Sequence, residues 1–311
     1  MNIIFMGTPD FSVPTLQMLI DEGHNILAVV TQPDRPKGRG NKVLMPPVKE
    51  LALKYDLPIL QPERVKGNEE FLNHIKTLNP DVMVVVAYGQ ILPESVLEVP
   101  SLGCINIHGS LLPKYRGAAP IQWSILNEEA ETGVTIMYMD KGMDTGDMLY
   151  KKSMPIDPTD TYETLHDKMK VVGAEALKAA FPMIQAGGQE RQKQDDDQAT
   201  YASMIQKALG EIRWEKSNHE INAQVRGLNP WPVAYTYYEG QPIKVWQTSM
   251  TNENTQYVPG TIIEVDKLGM HVQTGSGILI IEEMQAPNKK RMPVSEYIKG
   301  NSIEKGRLLG N

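Results

Sequence analysis

Cysteine occurs once in the 311 residues of this chain, at Cys104, so an internal disulfide is excluded and a reducing compartment is expected. Long apolar runs are missing as well. The longest, residues 82–87 within DVMVVVAYG, falls far short of the roughly 18 residues that a membrane helix needs. The opening MNIIFMGTPD has neither the basic flank nor the apolar length of an export signal. A cytoplasmic protein without a membrane partner is therefore expected. Paired metal ligands are also lacking: His24, His74, His166, His219 and His271 show no H-E-x-x-H or comparable spacing, and no metal is expected. In GTPDF, residues 7–11, a single glycine stands where a dinucleotide fingerprint has three, which argues against a nicotinamide cofactor. His108-Gly109-Ser110 lacks the flanking glycines of a nucleophile elbow, which disfavours a serine hydrolase.

What is present is ordinary for a folded protein. Hydrophobic residues make up 41% and charged residues 22%, inside the globular range, and the length suits one large and one smaller domain. The formal net charge of -7, taken alone, argues against a dedicated nucleic-acid binder. The acid is unevenly spread, however, because from Gln206 onward Lys and Arg slightly outnumber Asp and Glu.

Periodicity gives the architecture. Residues 2–6 read as a strand ending at Gly7, and Leu16, Leu19 and Ile20 then recur at helical spacing. Residues 26–31 read as a second strand. Val48, Leu51, Ala52 and Tyr55 mark a helix, and Phe71, Leu72 and Ile75 another, ahead of a buried strand at 82–87. Further strands are predicted at 104–108, 134–139 and 148–154, and a long helix at 161–184. Strands alternating with helices imply an α/β domain with a mostly parallel sheet covered on both faces. The polar stretch AGGQERQKQDDDQATYAS, residues 186–203, reads as a linker. After it, β-like runs at 233–238, 243–246, 260–265 and 277–281 alternate with Gly, Pro and Asn turns, which suggests a small barrel or sandwich. The expected division is 1–188, a linker at 189–205, and 206–311.

The densest chemical signal is GCINIHGSLLPKYRGAAPIQW, residues 103–123. Open α/β sheets present reactive groups at strand carboxyl ends, and side chains alternate along a strand, so Asn106 and His108 share one side. Two polar groups on an otherwise apolar strand need a ligand or a fixed partner, since burying them unpaired is costly. The loop MDKGMDTGDM, residues 139–148, carries Asp140, Asp144 and Asp147. Such acids usually face solvent or cap turns, but one brought against His108 would favour an imidazolium and serve in proton transfer. Residues 33–47, PDRPKGRGNKVLMPP, set Arg35, Lys37, Arg39 and Lys42 against Asp34 alone, a basic segment open both to simple solvation and to an anionic partner.

These segments resemble the methionyl-tRNA formyltransferase family among the folate-dependent formyltransferases. The likeness runs the length of the chain through GTPDF, TQPDRPKGRG, NIHGSLLPKYRGAAP, GVTIMYMDKGMDTGDM and RGLNPWPVAY. It implies a Rossmann-like domain followed by an OB-like β-barrel, with 10-formyltetrahydrofolate as formyl donor and initiator methionyl-tRNA as acceptor; a monomer is expected. Position by position it implies catalytic roles for Asn106, His108 and Asp144, and folate contact by Ser110, Leu111, Leu112 and Pro113. It also assigns the basic segment, with Arg39 foremost, to the tRNA acceptor end. Arg226, Lys289, Lys290, Arg291 and Lys207 are candidate RNA contacts, while Trp231 and Trp246 are expected in the core. Two other readings stand beside it. A formyltransferase acting on a sugar-nucleotide amine shares an HGSLLP-like segment, and a noncatalytic RNA-binding protein would share the basic patches.

Overall fold

The computed structural model describes residues 1–37 and 42–310, with Lys37 and Lys42 given by their backbone alone. In chain order the elements are β1 (Asn2–Gly7), α1 (Val13–Asp21), β2 (Asn25–Val30), β3 (Arg35–Lys37), β4 (Lys42–Leu44), α2 (Pro47–Lys54), β5 (Ile59–Leu60) and α3 (Glu69–Leu78). There follow β6 (Val82–Val86), α4 (Glu94–Leu97), β7 (Cys104–His108), β8 (Arg116–Gly117), α5 (Pro120–Leu126), β9 (Glu131–Tyr138), β10 (Met148–Pro155), α6 (Tyr162–Gln185) and β11 (Tyr201–Ala202). The chain ends with α7 (Asn218–Gly227), β12 (Ala234–Tyr238), β13 (Gln241–Thr251), β14 (Ile262–Val265), β15 (Met270–Gln273), β16 (Ile278–Gln285), β17 (Met292–Pro293) and α8 (Val294–Tyr297).

Two compact units result, each assembled from more than one stretch of chain. The first comprises Met1–Pro120, Thr132–Met154 and His166–Ala202. Its seven-stranded sheet runs β10-β9-β7-β6-β1-β2-β5. β1 pairs in parallel with β2 and β6, and β6 in parallel with β7. The central strands are uninterrupted apolar runs, VMVVV in β6 being buried throughout, as a sheet covered on both faces requires. β9 departs from the parallel pattern and runs antiparallel to β7. The chain reaches its neighbour β10 through a loop with no helix, too short for the crossover a parallel pair needs.

Local signals set the helix ends. Asn68 caps α3 by accepting from the Phe71 N–H at 2.9 Å, Glu69 and Glu70 occupy the first turn, and Asn79 closes the helix at φ 48°. The core between β1, β6 and α3 includes Met6, Phe71, Ile75, Met83, Tyr88 and Cys104. Burial pushes both the Tyr88 phenol and the Cys104 thiol up to about 12, so both stay neutral at physiological pH.

The second unit comprises Ile121–Glu131, Pro155–Leu165 and Ser203–Asn311. Its antiparallel sheet runs β12-β13-β16-β15-β14, with β17 beside β16. Helix α7 opens with a reciprocal Ser217/Glu220 capping box and packs on β13 and β16. Ile221, Val225, Trp214, Val245, Ile281 and Leu309 form the core, and the Trp214 indole donates to Thr236 Oγ1 at 3.0 Å. Trp231, expected in a core, is half exposed in a loop between Pro230 and Pro232.

The expected linker at 189–205 is, up to Ala202, part of the first unit. β11 pairs in parallel with β8, the Thr200 carbonyl accepts from Arg116 N–H at 2.8 Å, and Gln194 is buried. The one buried polar side chain of this stretch, Gln194, is satisfied by hydrogen bonds to protein, while most of its neighbours face solvent as the sequence suggests. Among the described residues no helix is long and apolar enough to cross a membrane.

Candidate active site

β7 supplies two polar side chains and then turns into the loop of residues 109–115. Its terminal residue, His108, is buried. His108 Nε2 lies 2.9 Å from the Tyr115 carbonyl oxygen; a carbonyl only accepts, so this nitrogen carries the hydrogen and donates. The ring is thereby fixed with Nδ1 facing Asp144, 3.6 Å from Oδ2. That separation is within ion-pair range but too long for a direct hydrogen bond, a spacing common where catalytic groups tighten only around substrate. Asn106 is half-buried on the same strand, with its Cα paired to Met137 of β9. Among the described residues its side-chain amide has no protein partner.

The three loop acids have separate fates. Asp144 Oδ2 accepts from the Gly117 N–H at 2.8 Å and is the acid that meets His108. Asp140 closes its own turn, accepting from Gly142 N–H and Thr145 Oγ1 at 2.9 and 2.7 Å. Asp147 pairs with Arg191 at 3.5 Å. Asp144 takes a left-handed backbone, φ 55°, a region sparsely populated by residues other than glycine but tolerated best by Asp and Asn. Two residues on, a Cβ at Gly146 would overlap the Tyr138 carbonyl oxygen. Gly146→Ala is therefore expected to destabilise the chain by about 1–3 kcal/mol and to lower turnover with it; a denaturant midpoint equal to that of the parent would show that the loop absorbs a methyl group.

A cavity of about 180 Å³ opens against this loop, lined by Gln90, Ile91, Leu92, Met137, Met139 and residues 140–144. Asp144 thus touches both the cavity and His108. Ile91 and Met143 are strongly exposed, at 82% and 63%, and belong to this wall. The expected folate contacts at 110–113 do not line it. Ser110 Oγ donates to the Lys114 carbonyl at 2.6 Å, and its own carbonyl accepts from Thr135 Oγ1 at 2.7 Å. Leu112 clusters with Met137 and Met148, Leu111 approaches Gly133, and the Pro113 carbonyl accepts from Thr200 N–H at 3.3 Å. The 110–113 segment therefore backs the cavity through Met137. Sequence reasoning missed Gln90, Ile91 and Leu92, although their place just after the buried strand β6 was a usable signal, because strand carboxyl ends face the crevice.

The basic residues sort by how far they are already committed. Arg35 faces Glu63 at 3.7 Å across an exposed surface. β3 and β4 form a hairpin pairing Lys37 with Lys42, and Arg39 lies outside the described residues. At its root Lys49 Nζ donates to Asp34 at 2.7 Å and to Gln61 at 2.8 Å. Hydrogen bonds from Gln61 and Lys49 hold the Asp34 carboxyl below its ordinary pKa. Lys207, Lys289 and Lys290 are exposed. Arg291 pairs with Glu283 and lies over the Trp246 ring, 4.9 Å from its centroid. Arg226 donates to Asn222 Oδ1 at 3.0 Å and to the Asp160 carbonyl at 2.9 Å. It acts as an internal staple, and burial lowers its pKa. His166, with no ligand spacing in the sequence, sits near Asp10 and Asp167, but Lys170 Nζ pairs with both carboxylates at 3.6 and 2.6 Å.

Comparison with known proteins gives the class first. Residues 1–181 match the family model described as formyl transferase, and residues 204–302 match the formyl transferase C-terminal domain. A solved structure of a sugar 3N-formyl transferase, determined in the presence of dTDP and 5-N-formyl-THF, shares the fold at a TM-score of 0.69 and 23% identity, over 93% of this chain and 99% of its own. The chain is 55% identical to a methionyl-tRNA formyltransferase of Clostridioides difficile, over the whole of both. It is 51% identical to one of Acetivibrio thermocellus, also over the whole of both. It belongs to the methionyl-tRNA formyltransferase family and is an enzyme of the formyl-transferring class.

Proposed function

We propose that this chain transfers the formyl group of 10-formyltetrahydrofolate to the free α-amino group of initiator methionyl-tRNA, as a cytoplasmic monomer serving translation initiation. The observation that carries the reading is the meeting of His108 Nδ1 with Asp144 Oδ2 at 3.6 Å, with Asp144 on the wall of a cavity and His108 on the same strand as an uncommitted Asn106. The cavity has apolar walls in Leu92, Met137 and Met139 and polar groups in Gln90 and Asp140, a lining suited to a flat ring with a hydrogen-bonding edge such as a pterin.

Attack of an amine on the formyl carbon makes a tetrahedral intermediate whose oxygen becomes negative, so donors must converge on that oxygen. The Asn106 amide is one. His108 supplies the other through Nδ1, the nitrogen that Tyr115 does not hold, in its imidazolium form, since with Nε2–H committed to Tyr115 the neutral ring offers only an acceptor there. Asp144 keeps one carboxylate oxygen on Gly117 N–H and takes part in moving the proton from the amine to the departing folate nitrogen. An α-amino group titrates at about 7.7–8.0, so an appreciable share is free base near neutral pH, and no strong base is required. The exposed cations Arg35, Lys207, Lys289 and Lys290, with Lys37, Arg39 and Lys42 of the hairpin segment, would meet the phosphate backbone. Arg226 leaves the set because its guanidinium is already engaged.

The test supplies the purified chain with the folate donor and, in turn, charged initiator tRNA, charged elongator methionyl-tRNA and an amino-sugar nucleotide. Formylation is expected on the initiator species in strong preference to the others; formylation of the sugar amine alone would overturn the reading.

A further inference from the structure

We infer that Gln194 is a positioning residue for Asp144, and that the strap formed by residues 191–202 belongs to the catalytic centre. The inference rests on the function proposed above for Asp144. Gln194 is 5% exposed, and every polar atom of its side chain is engaged. The amide nitrogen donates to the Asp144 carbonyl at 2.7 Å and to the Gly146 carbonyl at 2.8 Å. Its oxygen accepts from Arg116 Nε at 2.9 Å. Only one orientation of the amide works, because the reverse would set oxygen against two carbonyls and NH2 against a guanidinium.

Arg116 is in turn held in place. It is 2% exposed, and Nη2 pairs with Asp196 of the strap at 2.7 Å. Burial works against its charge, but bonds to Asp196 and to Tyr201 keep the guanidinium above its ordinary pKa. The next residue, Gly117, supplies the N–H that grips the Asp144 carboxylate. The strap also donates and accepts along β8. Thr200 Oγ1 takes the Tyr115 N–H at 2.8 Å, and the Tyr115 carbonyl is the group that anchors His108. Asp144 is thus held by a strap residue 50 positions away, and Tyr115, the anchor of His108, by one 85 positions away.

Asp144 is gripped at both ends, carboxylate by Gly117 and carbonyl by Gln194. Its left-handed backbone is sparsely populated even though Asp tolerates it, and the surrounding bonds help to hold it. Without the grip on its carbonyl the residue relaxes and the carboxylate leaves Nδ1. The strap does this with donors rather than bulk, so glutamate at 194 separates the roles. It retains the acceptor for Arg116 and nearly the same shape, while it loses both donors to the loop.

The full-length chain carrying Gln194→Glu is assayed for formyl transfer to charged initiator tRNA beside Gln194→Met and Asp144→Ala. The expected result for Gln194→Glu is a kcat lowered roughly 10- to 100-fold, the scale of a misplaced reacting group, with KM for the folate donor within about twofold of the parent. Combined with Asp144→Ala, the same change costs less than about twofold more, because it acts through a carboxylate no longer there. Gln194→Met, which removes donors and acceptor together, repeats the loss should the glutamate variant fold poorly. Parent-like kcat in both Gln194 variants, or losses that multiply in the double variant, would overturn the inference. Parent-like kcat in Asp144→Ala would instead remove the proposed role of Asp144 itself.

Discussion

Asn106→Ala lowers turnover roughly 100- to 1,000-fold, the usual consequence of removing one donor from an oxyanion site, and His108→Ala does so at least as strongly. The two losses have different origins. Asn106 is half-buried and uncommitted, so truncation deletes a donor with little harm to the strand. His108 is buried, and its ring is tied to Tyr115, so truncation also leaves a buried carbonyl without its donor. The asparagine result is therefore the cleaner measure of transition-state stabilisation. Asn106→Asp sharpens it, since the variant keeps size but offers an acceptor where the developing oxyanion needs a donor. Steady-state kcat with saturating donor and tRNA checks both residues; unchanged kcat in Asn106→Ala and His108→Ala together would remove the oxyanion-stabilising roles.

Raising salt from 50 to 200 mM weakens tRNA binding roughly 1,000-fold if about six cations meet phosphates. The chain as a whole is acidic, at -7, so binding depends on local cationic surface. Arg35 makes one exposed pair at 3.7 Å, which counts for little in water and yields readily to a phosphate. Lys289 and Lys290 lie in the turn between β16 and β17 and are exposed. Replacing both by alanine should flatten the salt slope by about two, one per lost contact. The measurement is a filter or fluorescence titration of charged initiator tRNA across salt. A slope near zero would refute phosphate contact, and an unchanged slope in the double variant would place that contact elsewhere.

How far the sequence discloses such a molecule depends on where each interaction closes. The parallel strands are readable because burial on both faces demands unbroken apolar runs, as in β6. The polar end of β7 stands out for the same reason, because Asn106 and His108 interrupt that rule. Helix α7 is harder to see. Ile221 and Val225 are its recurring apolar pair, and the legible signal is the Ser217/Glu220 capping box. The strap was the hardest, since Gln194 and Arg116 stand 78 residues apart, and nothing in a polar stretch announces which backbone groups it will meet. The cavity wall at 90–92 escaped for a related reason: Ile91 is among the most exposed apolar residues, so a search for buried patterns passes over it. The hairpin β3–β4 was legible as a basic segment, whereas its anchoring through Lys49, Asp34 and Gln61 draws on residues from three separate stretches.

The single sulfhydryl of the chain sits two positions before Asn106 on β7, shut inside the core and kept protonated far above neutrality. A formyl carbon is an electrophile that an ionised sulfur would attack readily. By denying that sulfur both charge and access, the fold removes the protein's own cysteine as a rival to the incoming amine.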